Sequence, residues 1–121
     1  MGVVLDTSIL IAYERRAIDI GGLIEGREQE AVGISAITAA ELLHGVHRAD
    51  TPVRRMKRTA YVEMVFNTLT LYPFDIAAAR TYAELWATLQ KQGILVGIHD
   101  AMIAATALSL GFSIATLNLR D

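Results

Sequence analysis

Three acidic side chains in this sequence stand apart from every other charge, and their type makes them candidates for chemistry. With histidine counted as neutral, each is the only charged side chain in its surroundings: Asp6 in residues 1–13, Glu41 in 31–47 and Asp100 in 92–119. An unpaired carboxylate in apolar surroundings is costly and usually takes up a proton. Each of these acids therefore needs a partner that its own stretch of sequence does not supply.

Each acid taken singly has a local explanation as a helix cap. Asp6 can cap a helix that begins at Thr7, and Asp100 can interact favourably with the dipole in the first turn of its helix. Thr38 and Glu41, three residues apart, form the sequence pattern of a capping box. However, serine, threonine and asparagine also cap helices without a charge. Three acids far apart in sequence, each without a basic neighbour, indicate convergence around a cation.

The chemistry of such a cluster follows from its donor atoms. Carboxylates a few ångströms apart repel, and one of them takes up a proton near neutrality unless a cation compensates. Oxygen ligands in a chain without cysteine favour Mg²⁺ or Mn²⁺ over zinc. Magnesium held by a few carboxylates keeps several waters and binds phosphate oxygens, so such a site typically activates water for attack on a phosphodiester.

The elements that must position these acids alternate between short apolar runs and amphipathic segments. Strands are predicted at residues 3–6, 31–37, 70–74 and 112–118, and helices at 7–16, 38–49, 52–69, 75–93 and 98–111. This alternation predicts an α/β fold, a three-layer α/β/α sandwich around a mainly parallel, twisted sheet. The helix at 98–111 is apolar nearly all round, so it and the strand after it are predicted to be buried. Ligands bind at the carboxyl edge of such sheets, where all three acids are expected.

Composition limits the alternatives. The 121 residues predict a single domain spanning residues 1–121, and the net charge of −2 offers no global attraction for nucleic acid. The absence of cysteine excludes disulfides and fits a reducing cytoplasm. Residues 101–119 approach the length of a membrane span, but polar side chains and Gly111 interrupt them. The N-terminus has no basic region or small-residue cleavage site, so a soluble protein without a signal peptide is predicted.

One basic cluster lies at the start of the third predicted helix. It consists of Arg54, Arg55, Lys57 and Arg58. Basic residues early in a helix oppose its dipole, so helix stability does not explain the cluster. It is either a solvated face or a contact for RNA phosphates, and the salt dependence of RNA binding distinguishes the two.

At this point the motifs resemble a known family. The stretches "VVLDTSILI", "ISAITAAELLHGV", "GIHDAMIAATAL" and "IATLNLRD", in this order across nearly the whole chain, resemble PIN-domain ribonucleases, specifically the VapC-type toxins of bacterial type II toxin–antitoxin pairs. The resemblance implies that the three solitary acids are catalytic and bind the metal. It also implies that Thr7, Ser8 and Thr116 are the accompanying hydroxyls.

The family's activity and partners follow as expectations. The resemblance implies Mg²⁺-dependent cleavage of RNA, generally tRNA or ribosomal RNA, by a homodimer that has no membrane association. It also implies inhibition by a cognate VapB-type antitoxin that covers the acidic pocket. The sequence departs from the family at Asn118, where many members carry a fourth acid. An amide oxygen coordinates more weakly, and Asp121 is a second candidate for the fourth ligand.

Two other classes of function stay open from the sequence. One is a PIN-like fold that lacks catalysis and only binds a partner, an alternative suggested by Asn118. The other is a phosphoaspartyl α/β domain. A phosphoaspartyl hydrolase of this kind needs a second aspartate where this chain has Ser8, and a receiver domain needs a lysine after a late strand, which is absent. Metal-dependent cleavage of RNA separates the nuclease from both alternatives.

Overall fold

The centre of the structure is a parallel sheet whose strands alternate with helices along the chain. The computed structural model describes residues 2–27 and 29–117. The elements in this part are β1 (Gly2–Leu5), α1 (Thr7–Arg15), a 3₁₀ turn (Ile20–Leu23), β2 (Ala31–Ser35), α2 (Ala36–His47), α3 (Pro52–Thr68), β3 (Thr70–Tyr72), α4 (Ile76–Lys91), α5 (Ile98–Leu110) and β4 (Ser113–Ala115). The predicted alternation of strands and helices is confirmed.

The order of the strands in the sheet is β3-β2-β1-β4, and all neighbours are parallel. Val4 of β1 pairs with Gly33 on one side and with Ile114 on the other. The chain therefore builds outward from β1 through β2 to β3, and then returns to place β4 on the opposite side of β1. In parallel sheets a reversal of this kind opens a crevice at the carboxyl ends of the two diverging strands, here β1 and β4.

Helices cover both faces of the sheet, because consecutive side chains of a strand point to opposite faces. Val3 and Leu5 belong to the larger core, together with Leu10 of α1 and Val65 of α3. Val4 faces the other way and packs with residues of α5. Helix α4 packs in turn against α5. The predicted three-layer α/β/α sandwich is confirmed.

The last helix and strand are less buried than their sequence predicts. Helix α5 buries one face through residues such as Ile103, yet Ile98 and Leu108 are more than half exposed, at 53% and 57%. In the described part of the chain β4 is an edge strand with Ile114 40% exposed. The prediction that both elements are buried holds for one face of α5 and is wrong for its other face and for β4. The sheet covers only one face of α5, and among the described strands β4 has one neighbour, β1.

The boundaries of two helices follow their sequence signals. Helix α3 begins at Pro52, as predicted, and Thr51 caps it by accepting a hydrogen bond from the backbone N–H of Arg54. Helix α4 is capped by Asp75, and Gly93 follows its end with a positive φ of 69°. Among residues 2–27 and 29–117, no helix combines the length and apolar character needed to cross a bilayer.

Candidate active site

Asp6 lies at the crevice between β1 and β4. It follows β1 directly, it is only 5% exposed, and it occupies the N-cap position of α1. Its side chain makes no capping hydrogen bond, so capping does not explain its charge. Instead, its Oδ2 accepts hydrogen bonds from Ser8 Oγ at 2.7 Å and from Thr116 Oγ1 at 2.9 Å. The carboxylate is therefore oriented by hydroxyl groups that follow two different strands.

Ser8 and Thr116 connect the ends of these two strands. Ser8 Oγ donates to Asp6 and accepts a hydrogen bond of 3.0 Å from the backbone N–H of Leu117. The backbone N–H of Asp6 donates to the carbonyl of Ala115 at 2.8 Å. Two of the three hydroxyls predicted to accompany the acids, those of Ser8 and Thr116, thus contact Asp6. Charge-assisted hydrogen bonds of this kind hold a carboxylate in one orientation.

Glu41 reaches the same edge of the sheet from the second turn of α2. The predicted capping box is wrong, because Ser35 caps α2 and accepts a hydrogen bond of 3.1 Å from the Thr38 backbone N–H. The helix begins at Ala36, earlier than predicted, since β2 ends at Ser35 and serine is a preferred N-cap. Glu41 is therefore not required for capping.

The third predicted hydroxyl, that of Thr7, holds Glu41 in place. Thr7 Oγ1 lies 2.5 Å from Glu41 Oε1 and 3.0 Å from Thr38 Oγ1. A hydroxyl has a single proton, and an ionised carboxylate is the stronger acceptor, so the proton of Thr7 goes to Glu41. The Glu41 carboxylate is thereby fixed between α1 and α2.

Asp100 and His99 come from the first turn of α5, on the opposite face of the sheet. His99 Nδ1 lies 3.2 Å from the second oxygen of Glu41. Partial burial raises the pKa of the Asp100 carboxyl, the negative charges of Asp6 and Glu41 raise it further, and His99 partly opposes them. Asp100 therefore lies in the field of the other two acids. The three solitary carboxylates are therefore close enough in the structure for their charges to interact.

Whether these three acids can bind a metal ion depends on the type and number of their donor atoms. No group of three or more histidine, cysteine or acidic side chains in residues 2–27 and 29–117 has an arrangement able to hold a metal ion. Asn118 and Asp121, the predicted additional ligands, lie outside the described residues. Magnesium in phosphate-processing sites uses only one or two carboxylates together with waters and substrate. The oxygen donors of Asp6 and Asp100 fit that requirement, and the three-acid metal site stays a prediction.

A groove of about 930 Å³ adjoins Glu41. Thr7, Glu41 and His99 line it beside the edge of the sheet, and Arg58 of α3 lines it as well. Arg58 donates to the carbonyl of Gly45 at 3.1 Å and lies 3.4 Å from Glu14 Oε2. The arginine thus links α3 to α2 and to α1.

The predicted basic cluster separates in the structure. Arg58 alone of its members lines the groove. Arg54 pairs with Asp50 at 2.9 Å, which lowers the pKa of that carboxyl, and Arg55 donates to the carbonyl of Ala49. Lys57 is exposed on α3. A role for the cluster in RNA binding stays a prediction.

Sequence reasoning missed two features of the site. From the sequence alone, His99 is most simply explained as a structural residue. Its position directly before Asp100 was the one sequence feature that pointed to the site. Arg15 and Arg48 also line the groove, although they end different helices and carry no common motif. Local sequence cannot relate them, because the packing of α1 against α2 brings them together.

The fold and the site together define an α/β protein with a cluster of carboxylates at the switch point of a parallel sheet. The PIN domain family model matches residues 3–120, and the chain belongs to the PIN domain family.

Several proteins of named function are similar to this chain over most of its length. Ribonuclease VapC1 of Rickettsia felis is 41% identical, with 100% of this chain and 88% of the relative covered. The tRNA(fMet)-specific endonuclease VapC of Shigella flexneri is 35% identical over 73% of this chain and 64% of its own length. The crystal structure of VapBC-5, a member of the VapBC family of toxin–antitoxin systems from Mycobacterium tuberculosis, superposes with a TM-score of 0.76 at 35% identity, covering 98% of this chain and 86% of that one.

Proposed function

We propose that this protein is a VapC-type toxin, an Mg²⁺-dependent endoribonuclease that hydrolyses RNA phosphodiester bonds and is inhibited by a VapB-type antitoxin. The observation that carries the proposal is that Asp100 is close enough to Asp6 and Glu41 for their charges to raise its pKa. The three acids are far apart in the sequence. A carboxylate at a sheet's switch point whose pKa is raised by burial and by two other carboxylates, as that of Asp100 is, is typical of a site that awaits a cation. Membership of the PIN domain family and the names of the relatives support the same function.

The residues that would hold the ion are Asp6 and Asp100, with Glu41 close by. Bound Mg²⁺ would supply a polarised phosphate and a water of lowered pKa. The protein's own contribution is to orient its acids before substrate arrives. Ser8 and Thr116 fix Asp6 from two strand ends, and Thr7 and His99 hold the two oxygens of Glu41. Hydroxyl donors that are already in place reduce the rearrangement needed for reaction.

RNA is the proposed substrate because of the groove and the relatives. Glu41 and Thr7 line the groove, so an RNA strand lying in it brings its backbone to Glu41. One relative is named a tRNA(fMet)-specific endonuclease and another a ribonuclease, which favours tRNA as the substrate. Ribosomal RNA is the other substrate that the family resemblance implies. The reaction would take place in the cytoplasm, where these RNAs are found.

The proposed protein partners are a VapB-type antitoxin and a second copy of the chain. The VapBC name of the structural relative supports the antitoxin. The homodimer is an expectation from the family resemblance. Size-exclusion chromatography with light scattering measures the dimer, and co-purification with the product of an adjacent small gene measures the antitoxin complex.

The proposal is tested by cleavage of total tRNA and ribosomal RNA with the wild-type protein and D100N. We expect cleavage in Mg²⁺, loss of cleavage with EDTA, and a rate for D100N at least about a hundredfold lower, a loss typical of a missing catalytic group. Because Asp100 is exposed, D100N should fold normally, which circular dichroism checks. Wild-type rates in D100N would refute the mechanism. A folded wild-type protein that cleaves no RNA would favour a non-catalytic binding module instead.

A further inference from the structure

The groove beside the acids runs along two helices that begin at the same edge of the sheet. Helix α1 follows β1 from Thr7 to Arg15, and α2 follows β2 and is capped by Arg48. At a rise of about 1.5 Å per residue, Arg15 lies about 12 Å along α1 from Thr7, and Arg48 lies about 10 Å along α2 from Glu41. All four residues line the one groove. The groove therefore has an acidic end at the sheet, formed by Glu41, and a basic end, formed by Arg15 and Arg48, at the far ends of these helices.

The cations of the basic end are not neutralised by the part of the chain that the structure describes. Arg58, the third arginine of the groove, is paired with Glu14 and bonded to the Gly45 carbonyl, so its charge is already compensated. Within residues 2–27 and 29–117, no carboxylate lies within ion-pairing distance of Arg15 or Arg48, and both side chains are exposed. The two arginines thus present available guanidinium groups to the groove.

We propose that the groove is the path of a single RNA strand, and that Arg15 and Arg48 bind a backbone phosphate about 10 Å from the phosphodiester at the acids, a distance taken from the helical rise. This inference rests on the proposed nuclease function and identifies positioning residues for it. Guanidinium groups bind phosphate oxygens in a bidentate manner. A strand held by the arginines at one end and by the acidic site at the other is fixed in register. That register selects which phosphodiester bond reaches the acids.

The charge pattern favours RNA over an acidic peptide as the occupant. The acidic end of the groove repels a peptide carboxylate, whereas an RNA phosphate there shares the cation that the acids require. A purely structural role for the arginines also exists, since cations near helix C-termini stabilise helices. That role predicts a change in stability and no change in RNA binding. An experiment can therefore separate the alternatives.

The test compares R15A/R48A with a matched pair, R80A/K91A, which removes two exposed cations of α4 that do not line the groove. Binding of a fluorescent single-stranded RNA is measured by anisotropy at several salt concentrations, with every protein carrying D100N to prevent cleavage. Each lost phosphate contact reduces the slope of log K against log salt by about 0.7. We expect R15A/R48A to flatten the slope by about 0.7, and by about 1.4 if each arginine holds its own phosphate. The control pair should leave the slope unchanged.

Cleavage measurements on otherwise wild-type protein complete the test. We expect kcat/KM of R15A/R48A to fall at least about tenfold, as befits lost charge-assisted hydrogen bonds. R15K/R48K keeps the charge without the bidentate geometry, so it should keep the salt slope and lose part of the rate. The arginines contact only one side of the cleaved bond. Removing the RNA nucleotides on that side should therefore abolish the difference in kcat/KM between the wild type and R15A/R48A, whereas removing nucleotides on the other side should preserve it.

The possible failures are distinguishable. An unchanged salt slope and rate in R15A/R48A, or an equal loss in R80A/K91A, overturns the inference while leaving the nuclease intact. Altered binding of polyglutamate without altered RNA binding makes the groove a peptide site, which also overturns it. If the salt slope flattens as expected but the wild-type protein cleaves no RNA, the groove binds RNA and the proposed nuclease function is wrong.

Discussion

The three carboxylates predict that removing Asp100 stabilises the metal-free protein while destroying its response to Mg²⁺. Burial and then the charges of Asp6 and Glu41 raise the pKa of Asp100 in the folded state. A raised folded-state pKa means that the protonated form contributes stability at pH values below the unfolded pKa. This contribution is lost as the pH rises through the folded pKa. At neutral pH the ionised side chain therefore opposes folding, and D100N removes that penalty.

The size of the effect follows from exposure. Asp100 is exposed, so solvent screens its repulsion to less than about 1 kcal/mol. For a chain of this length about 1 kcal/mol shifts Tm by about 4 °C, so D100N in EDTA at pH 7 should melt up to about 4 °C above the wild type. Magnesium at about 100 times its Kd stabilises a folded protein by about 2.7 kcal/mol, or about 10 °C here. D100N should lose most of that response.

Differential scanning calorimetry measures both effects, in EDTA and in Mg²⁺. As the pH falls, the metal-free difference between D100N and the wild type should shrink, because protonation removes the charge of Asp100. E84Q is a matched control, since Glu84 is an exposed acid on α4, outside the groove. The reasoning is refuted if D100N keeps the wild-type response to Mg²⁺, if it is less stable than the wild type in EDTA at pH 7, or if E84Q behaves in the same way.

Three further predictions concern the surroundings of the site. T7V removes the hydroxyl that orients Glu41 and should lower the cleavage rate about tenfold, since one charge-assisted hydrogen bond is lost; an unchanged rate would contradict this. Y61F removes a hydrogen bond to a carbonyl of α1 and should cost about 1 kcal/mol in urea unfolding. Burial, and then the nearby Glu14, raises the pKa of Tyr61 to about 12, so Y61F should lose a tyrosine titration near that pH in ultraviolet absorbance. G33A places a Cβ 2.4 Å from the Thr70 carbonyl oxygen and should lower stability by about 1–3 kcal/mol, measured by Tm, because backbone cannot yield easily; a neutral result would contradict the close approach of β3.

Several features of this protein were readable in the sequence because they depend on neighbours along the chain. The strand and helix alternation followed from hydrophobic periodicity, and the helix starts at Pro52 and Asp75 followed from local capping preferences. The isolation of Asp6, Glu41 and Asp100 was visible because a charge within an apolar stretch is conspicuous. In these cases the physical cause acts over a few residues.

Other features depended on contacts between distant segments. Thr38 and Glu41 have the spacing of a capping box, yet Ser35 caps the helix. Helix α5 is apolar nearly all round, yet Leu108 is exposed, because the amount of core available to a helix is set by the sheet beneath it. A sequence pattern states what a segment can bury, and packing decides what it does bury.

The sequence by itself therefore determined which residues carry unpaired charge and which elements hold them. Only the tertiary structure decided which of these residues meet. The strand order places Thr116 against Asp6, and the start of α5 brings His99 to Glu41 across the sheet edge. The groove with Arg15 at its far end arises in the same way. Each of these contacts joins segments far apart in sequence, so it is set by the order of strands and the packing of helices, which no local pattern encodes.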